Sequence, residues 1–185
     1  MNWKRSLIGI GTAVPIILLL AFGLTRDPRQ LPNALPGNVA PKFSLEVMDR
    51  GDTIDISRHT GDVVVINFWA SWCLECRTEH RDLSETAEAY AGKGVHFYGI
   101  LYNDTPDNGR EWITMMGGQS YPTLVDRGSR TAIDYGLSGV PETVIIDGKG
   151  VVAFKKIGAI TKTELSQHID QALTTRAARA GPPEM

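Results

Sequence analysis

Cys73 and Cys76 are the only thiols in the chain, with Leu74 and Glu75 between them. At this spacing the two sulfurs can meet across one helical turn and close a small disulfide ring. The preceding run, Val65-Ile66-Asn67-Phe68-Trp69-Ala70-Ser71-Trp72, reads as a buried strand that delivers Cys73 to a helix start. Free backbone N–H groups and the helix dipole at that point favour a thiolate, the reactive form of cysteine. The second cysteine lies inside the first turn and is less exposed. Cys73 is therefore expected to be the nucleophile, Cys76 the resolving thiol, and Cys73–Cys76 the disulfide they form. Other uses of the pair are weaker. A structural zinc site needs two more ligands, and His59, His80, His96 and His168 form no finger-like pair. Covalent haem attachment needs a histidine where Arg77 stands. An inert disulfide closing so short a loop stabilises little.

The elements that must hold this pair are legible around it. Phe43–Met48 and Thr53–Ile56 alternate with period two around Asp49-Arg50-Gly51-Asp52, a hairpin signature. Val63–Trp69 is a continuous β-branched and aromatic run, expected of a central strand covered on both faces. Leu83, Ala87 and Tyr90 then recur at helical spacing. Val95–Tyr102 is a second buried-strand run, and Thr105-Pro106 supplies an N-cap with proline at N1 for a helix through Met116. Thr143–Ile146 and Val151–Phe154 flank Asp147-Gly148-Lys149-Gly150, a second hairpin. Thr161 and Glu164 form a capping box for a last helix that buries Leu165, Ile169, Ala172 and Leu173. Strand–helix–strand–helix–hairpin–helix predicts an α/β sandwich with a mixed sheet.

Composition bounds the function. Lys+Arg of 19 against Asp+Glu of 21 gives a net charge of −2, which argues against a nucleic-acid binder. Hydrophobic residues at 42% suffice for a packed core, and two cysteines exclude a disulfide-stapled scaffold or a four-thiolate metal site. The charge is uneven: Lys4, Arg5, Arg26 and Arg29 against Asp27 give +3 through Pro41, leaving −5 for the rest. The basic residues flank Leu7–Leu24, 18 residues without a charge. As a helix this run spans roughly 27 Å, about one hydrocarbon core. It is longer than the apolar region of a cleaved leader, so a retained anchor is expected. Lys4 and Arg5 favour an N-in orientation. The expected organisation is a cytoplasmic N-terminus at 1–6, a transmembrane helix at 7–24, a proline-rich spacer at 25–41, one domain at 42–178 and a frayed tail at 179–185.

Phe68-Trp69-Ala70-Ser71-Trp72-Cys73-Leu74-Glu75-Cys76 resembles the active-site segment of the thioredoxin superfamily, and Gly139-Val140-Pro141-Glu142-Thr143 is a second mark. The likeness covers about Lys42 to Leu173. It implies a thioredoxin-like fold, a mixed central sheet flanked by helices, here with an N-terminal β-hairpin extension. It also implies a cis Val140–Pro141 peptide beside the cysteines. Val140, Pro141 and Glu142 would then form the substrate-binding wall, and Trp72 resembles the family's active-site lid. Asp27-Pro28, Leu31, Ala34-Leu35, Gly37, Pro41-Lys42-Phe43, Cys76-Arg77-Thr78-Glu79-His80 and Tyr102-Asn103-Asp104 narrow the resemblance. They resemble the membrane-anchored periplasmic thiol:disulfide interchange proteins of the DsbE (CcmG) type, of cytochrome c maturation. That resemblance implies a single-pass inner-membrane protein with its domain in the periplasm. It implies a reductant that keeps apocytochrome c haem-site cysteines, or the thiols of a maturation partner, reduced for haem attachment. A membrane electron donor of the disulfide-reductase type would recharge it. The redox-active disulfide stands in place of any cofactor, and no metal or nucleic acid is implied.

Asn67 stands six residues before Cys73, where thioredoxin has a buried aspartate. An amide cannot take a proton from Cys76, so that role is expected to pass to Glu79 or Glu142. Glu75 inside the motif, with Glu79 and Glu142, opposes a thiolate and favours a reductant whose Cys73 pKa is not strongly depressed. His80 is expected at the surface or in a partner contact rather than in catalysis. The alternative readings are an anchored thioredoxin-like reductase for copper-site cysteines of an oxidase, and a thioredoxin-fold copper chaperone. The chaperone pattern is CxxxC with a distant histidine, which this chain lacks. A peroxidase motif would place threonine three residues before Cys73, where Ala70 sits.

Overall fold

The computed structural model describes Trp3, Val14, Pro15, Leu18 and Phe22, and residues 35–177 without interruption. The expected spacer over 25–34, the expected tail, and all but four residues of the expected anchor lie outside these. Among the described residues no helix is long and apolar enough to cross a membrane. The chain divides into Met1–Asn33 and Ala34–Met185, and the second unit carries the cysteines.

That unit is built on β3 (Val63–Trp69), all seven of whose residues are buried. Around it lie β1 (Ser44–Val47), β2 (Thr53–Asp55), β4 (Val95–Leu101), β5 (Thr123–Val125), β6 (Glu142–Ile146) and β7 (Val152–Ile157), in the order β2-β1-β5-β4-β3-β6-β7. β3, β4 and β5 run parallel, while β6 opposes β3 and the two hairpins close the edges. The helices are α1 (Cys76–Ala89), α2 (Pro106–Met115), α3 (Arg130–Asp134) and α4 (Lys162–Ala177).

Strand alternation sorts β3 into two cores. Val64, Ile66 and Phe68 join Tyr98, Tyr135, Val144 and Ile146 on one face. Val63 and Val65 meet Leu83 of α1 and Leu165 and Ile169 of α4 on the other. A third cluster, Trp69, Ala70, Cys73, Cys76, Leu101 and Trp112, forms where β3 gives way to α1. The expected thioredoxin-like fold is thus the observed one, with both hairpins in place. Thr105 caps α2 through its side chain, with proline in the first turn. Thr161 makes half of the expected box, accepting from the Glu164 N–H at 3.3 Å, while the Glu164 carboxylate turns to Lys156.

Three features depart from the sequence reading. β5 and α3 have no counterpart in it. β7 runs to Ile157 rather than Phe154, with a bulge at Ile145/Ile146. Residues 35–41, assigned to the spacer, are seated on the domain. Gly37 N–H donates to Val152 O and Ala40 N–H to Gly150 O, each at 2.8 Å, and Val39 bridges Val151. Backbone groups in that stretch find partners on the open edge of β7, so prolines around them do not make it a free tether.

Candidate active site

The Cys73 and Cys76 sulfurs are bonded at 2.01 Å, with a χ3 of 90° and Cα atoms 5.4 Å apart. β3 ends at Trp69 and α1 begins at Cys76, so the pair occupies the turn between the central strand and its helix. Cys73 is 5% and Cys76 2% exposed, yet their neighbours Trp72 and Leu74 are 57% and 76% exposed. The thiols are therefore set in an apolar rim. The Cys76 N–H donates to Cys73 Sγ at 3.0 Å. An N–H aimed at that sulfur is the contact that would stabilise its thiolate, in the free first turn of a helix. Glu75 takes the N-cap position in αR conformation, makes no cap hydrogen bond with its side chain, and is exposed. Water screens its charge.

The β4–α2 loop pins the turn from one side. Ser71 N–H donates to Asp104 Oδ2 at 2.7 Å, and Trp72 Nε1 donates to Asn103 O at 3.3 Å. Burial opposes ionisation of Asp104. Hydrogen bonds from Ser71, Asn108 and Thr105 outweigh it and hold the carboxyl below its ordinary range. On the other side the Val140–Pro141 peptide is cis, and Val140 packs against the cluster holding both cysteines. Pro141 O accepts from Gly158 N–H of the segment after β7 at 2.9 Å. The fold thus packs Val140 against Cys73 and Cys76, with the exposed Trp72 held beside Cys73 by the Asn103 carbonyl.

Glu79 lies one turn beyond Cys76 and is 2% exposed. Asn67 Nδ2 donates to its Oε1 at 2.7 Å, and Ile160 N–H donates to its Oε2 at 2.9 Å. Thr143 Oγ1 shares the Asn67 amide at 3.1 Å. Burial pushes the carboxyl up to about 7, against the pull of the Ile160 and Asn67 donors and with the help of the Glu75 and Asp82 charges. A carboxyl poised near neutral pH can hold or release a proton under working conditions. Asn67 serves here as a donor that orients the acid rather than as its replacement.

Glu142 is on the opposite face of the sheet. Asn67 and Thr143 are register partners facing α1, whereas Phe68 and Glu142, the next pair, face the Tyr135 side. Glu142 is fully buried and its Oε2 meets Lys155 Nζ at 2.8 Å. Its Oε1 accepts from Ser138 N–H at 2.8 Å and from the Ser138 hydroxyl. Sequence reading missed Lys155, which sits in an alternating strand where a lysine ordinarily faces solvent. The signal was Glu142 itself, since a buried carboxylate next to a strand requires a cation.

His80 corrects an expectation. It is 4% exposed rather than at the surface, its Nε2 is 2.7 Å from Gly118 O, and its ring stands edge-on to Trp112 at 4.8 Å. Cys76, Glu79, His80, Leu83 and Thr86 are the buried residues of α1. They follow the helical stripe, with polar side chains where apolar ones were sought.

A cis-proline wall, a cysteine pair at a strand-to-helix turn and a mixed sheet define a thioredoxin-fold thiol:disulfide oxidoreductase. The chain belongs to the AhpC/TSA family, whose model matches residues 36–155, and within it to the DsbE thiol:disulfide interchange proteins. The Allochromatium vinosum thiol:disulfide interchange protein DsbE is 35% identical over 158 residues, covering 85% of this chain and 86% of that one. HelX, the thiol:disulfide interchange protein of Rhodobacter capsulatus, is 33% identical over 152 residues, covering 82% and 84%. A crystal structure of a thioredoxin-family thiol:disulfide interchange protein from Chlorobium tepidum superposes with a TM-score of 0.64 at 28% identity, covering 74% of this chain and 97% of that one.

Proposed function

We propose that this chain is a membrane-anchored, periplasmic reductant of cytochrome c maturation, with Cys73 as nucleophile and Cys76 as resolving thiol. In its dithiol form the Cys73 thiolate attacks a substrate disulfide, forms a mixed disulfide and expels one substrate thiolate. Cys76 then attacks the Cys73 sulfur, closes the Cys73–Cys76 bond and releases the second substrate thiolate. Two electrons pass from the chain to the substrate, whose two sulfurs take up protons. A membrane dithiol donor reverses the change in the chain.

The observation that carries the order of attack is the Cys76 N–H aimed at Cys73 Sγ. Glu79 is the acid that manages the Cys76 proton, because it lies one turn along the same helix and titrates near neutrality. Trp72 lids the pair, Glu75 biases it against a thiolate, and the wall at Val140 and Pro141 receives an extended peptide, with Glu142 buried behind it. The resemblance to the DsbE type supports apocytochrome c, or a maturation thiol protein, as the substrate. The uncharged run at 7–24 supports the anchor.

A Cys76→Ser chain offered a synthetic Cys-x-x-Cys-His peptide in its disulfide form tests the reading. A mixed disulfide through Cys73 should accumulate and be seen by mass spectrometry. An adduct that forms equally on Cys73→Ser, or none at all, rejects it.

A further inference from the structure

Lys155 plays no part in the exchange chemistry, yet its side chain is 1% exposed. A buried ammonium needs acceptors and a counter-charge, and here two carbonyls accept from it while a carboxylate balances its charge. Nζ lies 2.8 Å from Glu142 Oε2, 2.8 Å from Gly136 O and 3.1 Å from Tyr135 O. The last two carbonyls belong to the chain leaving α3, and Glu142 opens β6. Between them runs the segment 137–141, which contains Val140 and Pro141. Glu142 closes the ring by accepting from Ser138 inside that segment. Both ends of the loop therefore converge on one ammonium carried by a neighbouring strand.

From this geometry we infer that Lys155 is a positioning residue for substrate: it sets the wall at Val140–Pro141 by clamping the two ends of its loop. The inference rests on the proposed function, in which that wall receives an extended peptide. Main-chain pairing with an incoming strand depends on where the loop's N–H and C=O groups stand, and a displaced loop loses them without altering the sulfurs. The cysteines lie across the wall, in the turn before α1. Lys155 should therefore govern how tightly a peptide is held and leave the bond exchange in the bound complex to other residues.

Single-turnover oxidation of the reduced full chain by the disulfide form of a synthetic Cys-x-x-Cys-His peptide, followed by tryptophan fluorescence, separates the two quantities. Lys155→Met should raise the half-saturating peptide concentration about tenfold, the equivalent of about 1.4 kcal/mol of binding, with the limiting rate within about twofold. Lys155→Arg, which keeps a buried cation and donors, should recover most of that affinity. Should Lys155→Met fail to fold, the Lys155→Met/Glu142→Gln chain leaves no buried charge unpaired. It should show the same weakened half-saturation, because the Tyr135 and Gly136 carbonyls still lose their donor. A wild-type half-saturation in the folded variant, or a loss confined to the limiting rate, overturns the assignment of Lys155. A wild-type chain that never reacts with the peptide instead overturns the proposed function.

Discussion

Asn67 donates to Glu79 across 2.7 Å, joining the central strand to the cysteine-bearing helix. The strand position that carries a buried acid in thioredoxin carries an amide here, and the acid arrives from α1. The swap moves the ionisable group without removing it. A carboxyl with two N–H donors, enclosed by protein, is held near the pH at which thiols exchange.

Glu79 should therefore make folding stability fall as pH rises through neutrality. In the unfolded chain the carboxyl releases its proton near the ordinary 4.5, and in the folded chain at about 7. Between those values only the folded state holds the proton, so stability declines across the window and the loss is complete above it. His59 works in the opposite sense: burial, and then the nearby His96 charge, lower its pKa, so its contribution is lost as pH falls. Comparison with Glu79→Gln isolates the carboxyl. The variant turns an amide nitrogen toward one of the two donors, costing about 1–2 kcal/mol at low pH. Urea midpoints at pH 5.5 and 8 should show that deficit shrinking or reversing at the higher pH. A difference constant with pH would contradict it.

How far the sequence discloses this arrangement depends on how local each signal is. The Val63–Trp69 strand, both hairpins and the Thr105 cap are written in a few consecutive residues, and each is where the pattern places it. β5 is three residues after Pro122, and its identity as a strand comes from pairing with β1 and β4. α3 is a five-residue helix entered from Ser129 at φ 57°, without a side-chain cap. No periodicity can accumulate over such lengths. Cys73 and Cys76 are legible because a cysteine pair at that spacing has few other uses. Glu79 and His80 are legible only as positions on a stripe with Cys76 and Leu83. Lys155 is legible only through its partner, 13 residues away in sequence and one strand away in space.

Asp104→Ala should loosen the turn that carries Cys73. The Asp104 carboxylate accepts from Ser71, Thr105 and Asn108. Its removal leaves the half-buried Ser71 N–H without that partner, at a cost of about 1–2 kcal/mol. The readout is amide hydrogen exchange, in which protection should fall at Ser71 and Trp72 while the β3 amides from Val63 to Phe68 keep theirs. Uniform loss of protection would mean that Asp104 holds the whole fold. The depressed pKa of the same group predicts that its contribution, present above the ordinary aspartate range, disappears as pH falls below it.

Reversing the charge at Glu75 should ease thiolate formation at Cys73. Glu75 is exposed, so its influence passes through solvent and is screened by salt. Glu75→Lys should lower the midpoint of the pH profile for Cys73 alkylation by iodoacetamide by roughly 0.5–1 unit at low ionic strength, and by less in 1 M salt. The same change makes the chain a stronger oxidant, because it stabilises the reduced form. For the unaltered chain the midpoint should stand well above pH 4, the region of strongly oxidising thiols. A midpoint near pH 4 in the wild type would remove the acidic-site argument for a reductant.

The segment before the domain offers a last test, of whether residues 35–41 belong to the fold. Tyr135 is fully buried and its hydroxyl donates to Pro41 O at 2.9 Å, tying the segment to the core that Phe43 and Phe68 share. Tyr135→Phe keeps the ring packing and removes only that donor, which should cost about 1 kcal/mol. Gly37 stands at φ +86°, where a side chain is strained, and its N–H is bonded to Val152 O. Gly37→Ala should cost about 1–2 kcal/mol for the same segment. In the full chain both should lower the urea midpoint of the single unfolding transition, and the double variant should lower it by less than the sum, since the two bonds hold one strap. If the segment were a free spacer, neither substitution would change the unfolding free energy by more than a few tenths of a kcal/mol.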